Sequence, residues 1–203
     1  MVLENYRTLA DKILEPIAVK LRGISPDAVS WLALVFAVLT GYAFYTGKSE
    51  FLLLASLFVF LSGFFDALDG ALARVSKLAS KRGDLLDHVL DRYADIFIIG
   101  GLMYSPWVRD WLGFFAIMGV LLLSYMGTQA QAVSGKRDYS GYLGRATRLL
   151  ILILAPLAHY FLLQFGVVDI FSFTVLEWVM IAFAVVGNIG AVQRAVRAWA
   201  QLI

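Results

Sequence analysis

Six apolar stretches follow one another along the chain, near residues 27–46, 51–75, 84–105, 111–134, 145–165 and 170–196. Each supplies the ~20 residues that a helix needs to bridge a ~30 Å hydrocarbon core. Polar breaks separate them: Thr46-Gly47-Lys48-Ser49-Glu50, the Ser105-Pro106-Trp107 run, the glycine-rich loop from Gly135 to Gly144, and Gly166 to Asp169. Pro106 disfavours helix in the residue before it, which ends the third stretch. A backbone in hydrocarbon must satisfy its own N–H and C=O groups, so these stretches are expected to be helices. The expected fold is all-α: one membrane domain over residues 1–203, with a six-helix transmembrane bundle at 27–196. Composition agrees, at 61% hydrophobic and 16% charged, against roughly 45–50% and 25% in soluble domains. Cysteine is absent, which excludes disulfides and thiolate metal sites, and two histidines are too few for a multi-histidine centre.

Met1 to Arg22 mixes charges with apolar residues and lacks the long apolar run of a cleavable signal. Leu9, Ile13, Ile17 and Leu21 recur at helical spacing, which predicts an amphipathic helix lying on the membrane surface. A helix docked on a soluble face is the alternative. Orientation follows from Lys and Arg. Six spans place the N-terminus, the second and fourth loops and the C-terminus on one side, with 14 of the 17 basic residues. Lys48 and Arg109 lie on the other side, and Arg92 lies within a span. The basic side is therefore expected to be cytoplasmic, in a multi-pass cell-membrane protein.

Five aspartates interrupt the second and third stretches: Asp66, Asp69, Asp87, Asp91 and Asp95. A charge at mid-membrane costs at least ~2.5–3.5 kcal/mol on insertion scales, so each needs a wet cavity, a cation or a partner. Asp66 and Asp69 are i,i+3, and Asp87 and Asp91 are i,i+4, so each pair lies on one helix face. Both pairs fall near the basic ends of adjacent, antiparallel helices and, facing each other, are expected to make an all-oxygen site. Such a donor set suits a hard divalent cation. Gly70 and Ala73 leave room for a bulky ligand, Arg74 offers a planar fork for phosphate, and Gly83 permits close approach at the next helix. Acids, metal, arginine and space together point to phosphoryl transfer. Two alternatives compete: structural Asp–Arg pairs, which four carboxylates beside one arginine do not fit, and a cation channel or transporter.

Asp66-Ala-Leu-Asp69-Gly70-Ala-Leu-Ala73-Arg74, eight residues, then Gly83, three, Asp87, three, Asp91 resembles the signature of the CDP-alcohol phosphotransferase family at all eight fixed positions. The resemblance runs over nearly the whole chain. It implies a phospholipid-synthesising transferase, usually a homodimer, that carries two Mg²⁺ or Mn²⁺ ions. Asp66, Asp69 and Asp87 would bind the metals, with Asp91 able to touch the second. Asp91 would also be the general base that takes the proton of the acceptor hydroxyl. A CDP-linked lipid would be held by Arg74 at its pyrophosphate. Gly70, Ala73, Gly83, Ser80 and the Ser25-Pro26-Asp27-Ala28 stretch would lie around its nucleotide.

Outside the signature, Asp84 is expected to cap the third helix. Asp95 is expected to orient a metal-binding residue or to pair with Arg92 or another basic group. His88 is expected to lie off the aspartate face and not to be a ligand. The acceptor is read from the region after the fourth stretch. Arg145 and Arg148, i,i+3 at the start of the fifth, predict a phosphate clamp with Lys136 nearby, although they also serve the basic-side bias. The segment Ser124-Tyr-Met-Gly-Thr-Gln-Ala-Gln131 resembles the inositol-phosphate-using branch, and within it the archaeal archaetidylinositol phosphate synthases. Bacterial phosphatidylinositol phosphate synthases carry a Lys-Ala-Arg-Ala run where this chain has Gly127 and Gln129 among its residues. The resemblance thus implies transfer from CDP-archaeol to inositol phosphate, giving archaetidylinositol phosphate and CMP. The alternatives are CDP-diacylglycerol as donor, and glycerol 3-phosphate or serine as acceptor.

Overall fold

A computed structural model describes residues 12–134 and 143–201. The described residues form seven helices and no β-strand. Helix α1 covers residues 12–20, and α2 to α7 are Pro26–Tyr45, Glu50–Val75, Lys81–Met103, Asp110–Ser134, Arg145–Gln164 and Val175–Ala200. Five of them, α2, α3, α5, α6 and α7, are long and apolar enough to cross a membrane. α4 has 23 residues, about 35 Å at 1.5 Å per residue, but its first half carries the charges of the site.

The helix starts follow local chemistry. Pro26 opens α2, where a missing N–H costs nothing, and Asp27 sits in its positive first turn. Ser80 caps α4, its hydroxyl oxygen accepting from the Gly83 N–H at 3.1 Å. The expected capping role of Asp84 is therefore corrected: α4 begins at Lys81, which leaves Asp84 exposed in the first turn. The last helix begins at Val175, five residues later than expected. Thr174 and Glu177 form a reciprocal capping box there, and Phe171 and Ser172 turn the chain with φ of 52° and 67°. The Thr-x-x-Glu spacing was a visible start signal.

Two glycine crossings draw helices together. A Cβ at Gly101 would strike the Gly41 backbone and one at Gly41 the Phe97 carbonyl, so α2 and α4 meet backbone to backbone. Gly119 and Gly187 do the same for α5 and α7, where a Cβ at Gly187 would lie 2.8 Å from the Gly119 carbonyl carbon. α2 packs on both α3 and α4, α3 packs on α6, and α4 on α5, whereas α3 and α4 do not run packed along each other. The two acid-bearing helices are thus flanking walls rather than direct neighbours. The main core lies between them and the α5–α7 pair, around Phe44, Leu52, Ile98, Ile99, Leu102, Met180 and Phe183. Pro156 interrupts the α6 ladder, and Ser56 of α3 donates to the nearby Ile153 carbonyl at 2.6 Å.

A second cluster docks α1 against the α2 and α3 ends through Leu14, Ala18, Val29, Leu68, Ala71 and Leu72. Ile17 and Leu21 join it partly buried, as expected of that face. Ile13 instead points outward, and Leu14 and Ala18 take the buried positions. Leu9, with the rest of Met1 to Asp11, lies outside the described residues.

Candidate active site

The end of α3 and the start of α4 bring the signature carboxylates together. Asp66, Asp69 and Asp87 each offer an oxygen within 4.8 Å of the others, and Asp87 also groups with His88 and Asp91 at that spacing. Asp87 joins the two sets into one continuous acidic surface. Asp69 and Asp91 are buried, while Asp66 and Asp87 are partly open. His88 lies closer to the acids than expected, with Nδ1 3.8 Å from Asp87 and Nε2 3.7 Å from Asp84.

Three arginines answer these charges. Arg145, at the first residue of α6, reaches across to Asp66 at 2.7 Å and to Asp91. Arg92 lies 3.5 Å from Asp91 and 3.2 Å from Asp95. Arg148 donates to Asp95 at 2.9 Å and to the Leu143 carbonyl at 3.2 Å. Arg145 and Arg148 were expected side by side as one clamp. The structure separates their partners: Arg145 spans the signature acids, and Arg148, only 3% exposed, is anchored on Asp95. Lys136, the third residue of the expected clamp, lies outside the described residues.

The donor set fits divalent metal. Five carboxylates against three guanidiniums leave a formal charge of −2 in this cluster. Asp69 Oδ2 is buried without a hydrogen-bond partner among the described residues. A buried, unpaired carboxylate oxygen is costly, and hard cations relieve it through oxygen ligands. Asp66, Asp69 and Asp87 form one set placed to hold such ions, and Asp87 with His88 and Asp91 a second.

Beside the acids opens a cavity of about 460 Å³, within the usual ~300–1,000 Å³ of small-ligand sites. Ser25, Pro26 and Asp27 line it from α2, Gly70, Ala73 and Arg74 from α3, and Ser80 and Gly83 from the start of α4. Asp69 and Asp87 form its floor against the acidic cluster. Of the residues expected around the nucleotide, only Ala28 is not among its lining. A Cβ at Gly70 would meet only Arg74 Nη1, at an ordinary 3.5 Å, so the chain itself does not demand glycine there. What glycine preserves is cavity space. Ser30, Leu78, Ala79 and Arg82 also line the cavity and were not foreseen. Ser30 is one turn beyond Pro26 on α2, and that spacing was readable.

Comparison with known proteins matches this geometry. The description CDP-alcohol phosphatidyltransferase applies to residues 23–189, and the chain belongs to that family. It is 31% identical over 135 residues to an archaetidylinositol phosphate synthase of Pyrococcus horikoshii, covering 66% of this chain and 70% of that one. A second such synthase, from Methanothermobacter thermautotrophicus, is 25% identical over 201 residues, covering 99% and 96%. Among solved structures, the phosphatidylinositol phosphate synthase of Mycobacterium tuberculosis with CDP-DAG bound superposes with a TM-score of 0.75 at 27% identity, covering 93% of this chain and 94% of that one. The same synthase in complex with manganese and citrate also gives 0.75, at 28% identity over 92% and 88%. The protein is thus a helical membrane enzyme of phospholipid synthesis, a CDP-alcohol phosphotransferase of the phosphatidylinositol phosphate synthase type. That sets aside the transporter alternative.

Proposed function

We propose that this enzyme transfers the lipid phosphate of CDP-archaeol to a hydroxyl of inositol phosphate, forming archaetidylinositol phosphate and CMP. One observation carries the division of labour: the 460 Å³ cavity lies on one side of the four signature aspartates, and Arg145 reaches them from the other. The cavity takes the CDP portion of the donor, with Arg74 at the pyrophosphate and Ser25, Pro26, Asp27, Gly70, Ala73, Ser80 and Gly83 around the nucleotide. Arg145 takes the acceptor phosphate. The similarity to two archaetidylinositol phosphate synthases supports the choice of inositol phosphate and of ether-lipid tails.

The chain's residues divide the reaction as follows. Asp91 accepts the proton of the acceptor hydroxyl as its oxygen attacks the lipid-side phosphorus. A new phosphorus–oxygen bond forms there, and the bond from that phosphorus to the bridging oxygen of CMP breaks. Arg74 holds the departing phosphate. Asp66, Asp69, Asp87 and Asp91 would hold two Mg²⁺ or Mn²⁺ ions, which neutralise phosphate charge and polarise the phosphorus centre. Arg145 exchanges its carboxylate partners for the acceptor phosphate when substrates enter. The basic-residue bias supports a multi-pass arrangement of six spans, α4 included, with the termini and active site facing the cytoplasm. A homodimer is the expected assembly.

The test is CMP release by the purified protein with Mg²⁺, CDP-archaeol and 1L-myo-inositol 1-phosphate. Release with this acceptor is expected. Release only with glycerol 3-phosphate or serine overturns the acceptor. The second donor, CDP-diacylglycerol, is favoured by the CDP-DAG-bound relative, and faster turnover with it overturns CDP-archaeol.

A further inference from the structure

Asp95 lies outside the signature, one turn deeper along α4 than Asp91, and is 5% exposed. Two guanidiniums converge on its Oδ2 atom: Arg148 Nη2 at 2.9 Å and Arg92 Nη1 at 3.2 Å. Arg148 is itself buried, and its Nη1 donates to the carbonyl of Leu143, two residues before α6 begins. α6 packs on α3 and α7 rather than along α4, so Asp95 is a point at which the entry of α6 is tied to α4 through side chains alone.

The fastening has a register. On α4, Asp91 precedes Asp95 by four residues; on α6, Arg145 precedes Arg148 by three. Each step is close to one helical turn and keeps both residues on one face. The pairs Arg148–Asp95 and Arg145–Asp91 are thus successive rungs between the same two helices. Arg92 ties the rungs along one side, touching Asp95 with one amine and Asp91 with the other. The lower rung is buried and closed. The upper rung stands at the acidic cluster, where Asp91 and Arg145 meet substrate in the proposed reaction.

We propose that Asp95 is a positioning residue. It sets the register of α6 against α4 and so places Arg145 and the Asp91 carboxylate relative to each other, without touching substrate. This rests on the proposed roles of Asp91 as base and Arg145 as acceptor ligand. Groups that orient ligand-bearing residues from behind typically matter by about 10–100-fold in activity. A mere counter-ion for buried Arg148 would have a different signature, because any carboxylate, or removal of both charges, would serve.

Two variants separate these roles. Asp95→Glu keeps the charge but lengthens the arm by one methylene. Asp95→Asn combined with Arg148→Gln removes both charges of that pair and leaves Arg92 with Asp91 as its remaining carboxylate partner. Each is purified in detergent and checked for a native-like thermal transition; kcat and the KM for donor and acceptor are measured from CMP release. Positioning predicts a kcat about 10–100-fold below native in both, a raised acceptor KM, and a donor KM within about twofold, since neither Asp95, Arg92 nor Arg148 lines the donor cavity. A kcat within about twofold of native in either variant overturns the proposal. So does a donor KM that rises in step with the acceptor KM, which marks general loosening. The native chain is assayed alongside with its best acceptor. Failure of the native chain to use inositol phosphate bears on the proposed function and leaves the Asp95 comparison intact.

Discussion

At one end of the bundle a single carboxylate and a single guanidinium satisfy each other; at the other, five carboxylates share three guanidiniums. The closed end is built on Glu177, whose side chain is 4% exposed. Its Oε1 accepts from the Arg109 backbone N–H at 3.2 Å and pairs with Arg109 Nε at 3.0 Å, and its Oε2 accepts from the Thr174 N–H at 3.0 Å. Arg109 also donates to the Ser172 carbonyl at 2.6 Å and stacks 4.5 Å from the centroid of Phe173. Thr174 donates to the Trp107 carbonyl at 2.7 Å. This knot joins the α4–α5 loop to the cap of α7. The site end uses the same chemical groups, but among the described residues its clustered carboxylates outnumber the guanidiniums paired with them. The difference lies in balance: a paired set holds structure, and an unbalanced set is poised to take up cations.

Stripping divalent metal should separate the two ends most sharply. Chelation with EDTA is expected to abolish CMP release, and Mg²⁺ or Mn²⁺ to restore it, because the clustered carboxylates lie at the site end. Full activity in EDTA would break the comparison. Next in size, Asp91→Asn should lower kcat by about 10²–10⁴-fold, the usual contribution of a positioned base. Its binding of CDP-lipid, followed by titration calorimetry, should persist. Arg145→Ala should come third, raising the acceptor KM by at least about tenfold, as expected for a lost charge-assisted contact of about 1.5–3 kcal/mol. An unchanged acceptor KM would return Arg145 to a purely structural pairing.

At the closed end, Glu177→Gln should cost stability instead of activity. It weakens a buried charged hydrogen-bond set by about 1.5–3 kcal/mol, read as a lower thermal midpoint, with CMP release per folded molecule within about twofold. Ser80→Ala should have the smallest effect, about 0.5–2 kcal/mol for a lost helix cap. Ser80 also lines the cavity, so a rise in donor KM beyond that expected from stability would place its hydroxyl on the nucleotide.

The helical spans were legible because hydrocarbon permits few structures, and the acid pairs because i,i+3 and i,i+4 spacing fixes which residues share a face. Spacing within one helix says nothing of how a second helix is rotated against it. Hence Arg148 read as half of an open clamp, although α6 turns it inward onto Asp95. Arg145 likewise read as an acceptor ligand and a contributor to the basic side, although its long side chain also spans Asp66 and Asp91. The reading of Asp95 left open whether it oriented a metal-binding residue or paired with a basic group, and the structure pairs it with Arg92 and Arg148. Arg109 counted only as one basic residue on the sparse side, since Glu177 is 68 residues away. The α7 start was missed for a simpler reason: the apolar run Ile170-Phe171 looked continuous with the helix, and two positive-φ residues break it.

The glycine crossing of α2 and α4 acts at a distance. Gly101 lies ten residues beyond Asp91 on α4, about 15 Å along the axis. α2 also packs on α3, so it stands between the two acid-bearing helices. A methyl group at Gly101 would strike the Gly41 backbone, and one at Gly41 the Phe97 carbonyl, so the close approach of α4 to α2 is held by two positions with no side chain at all.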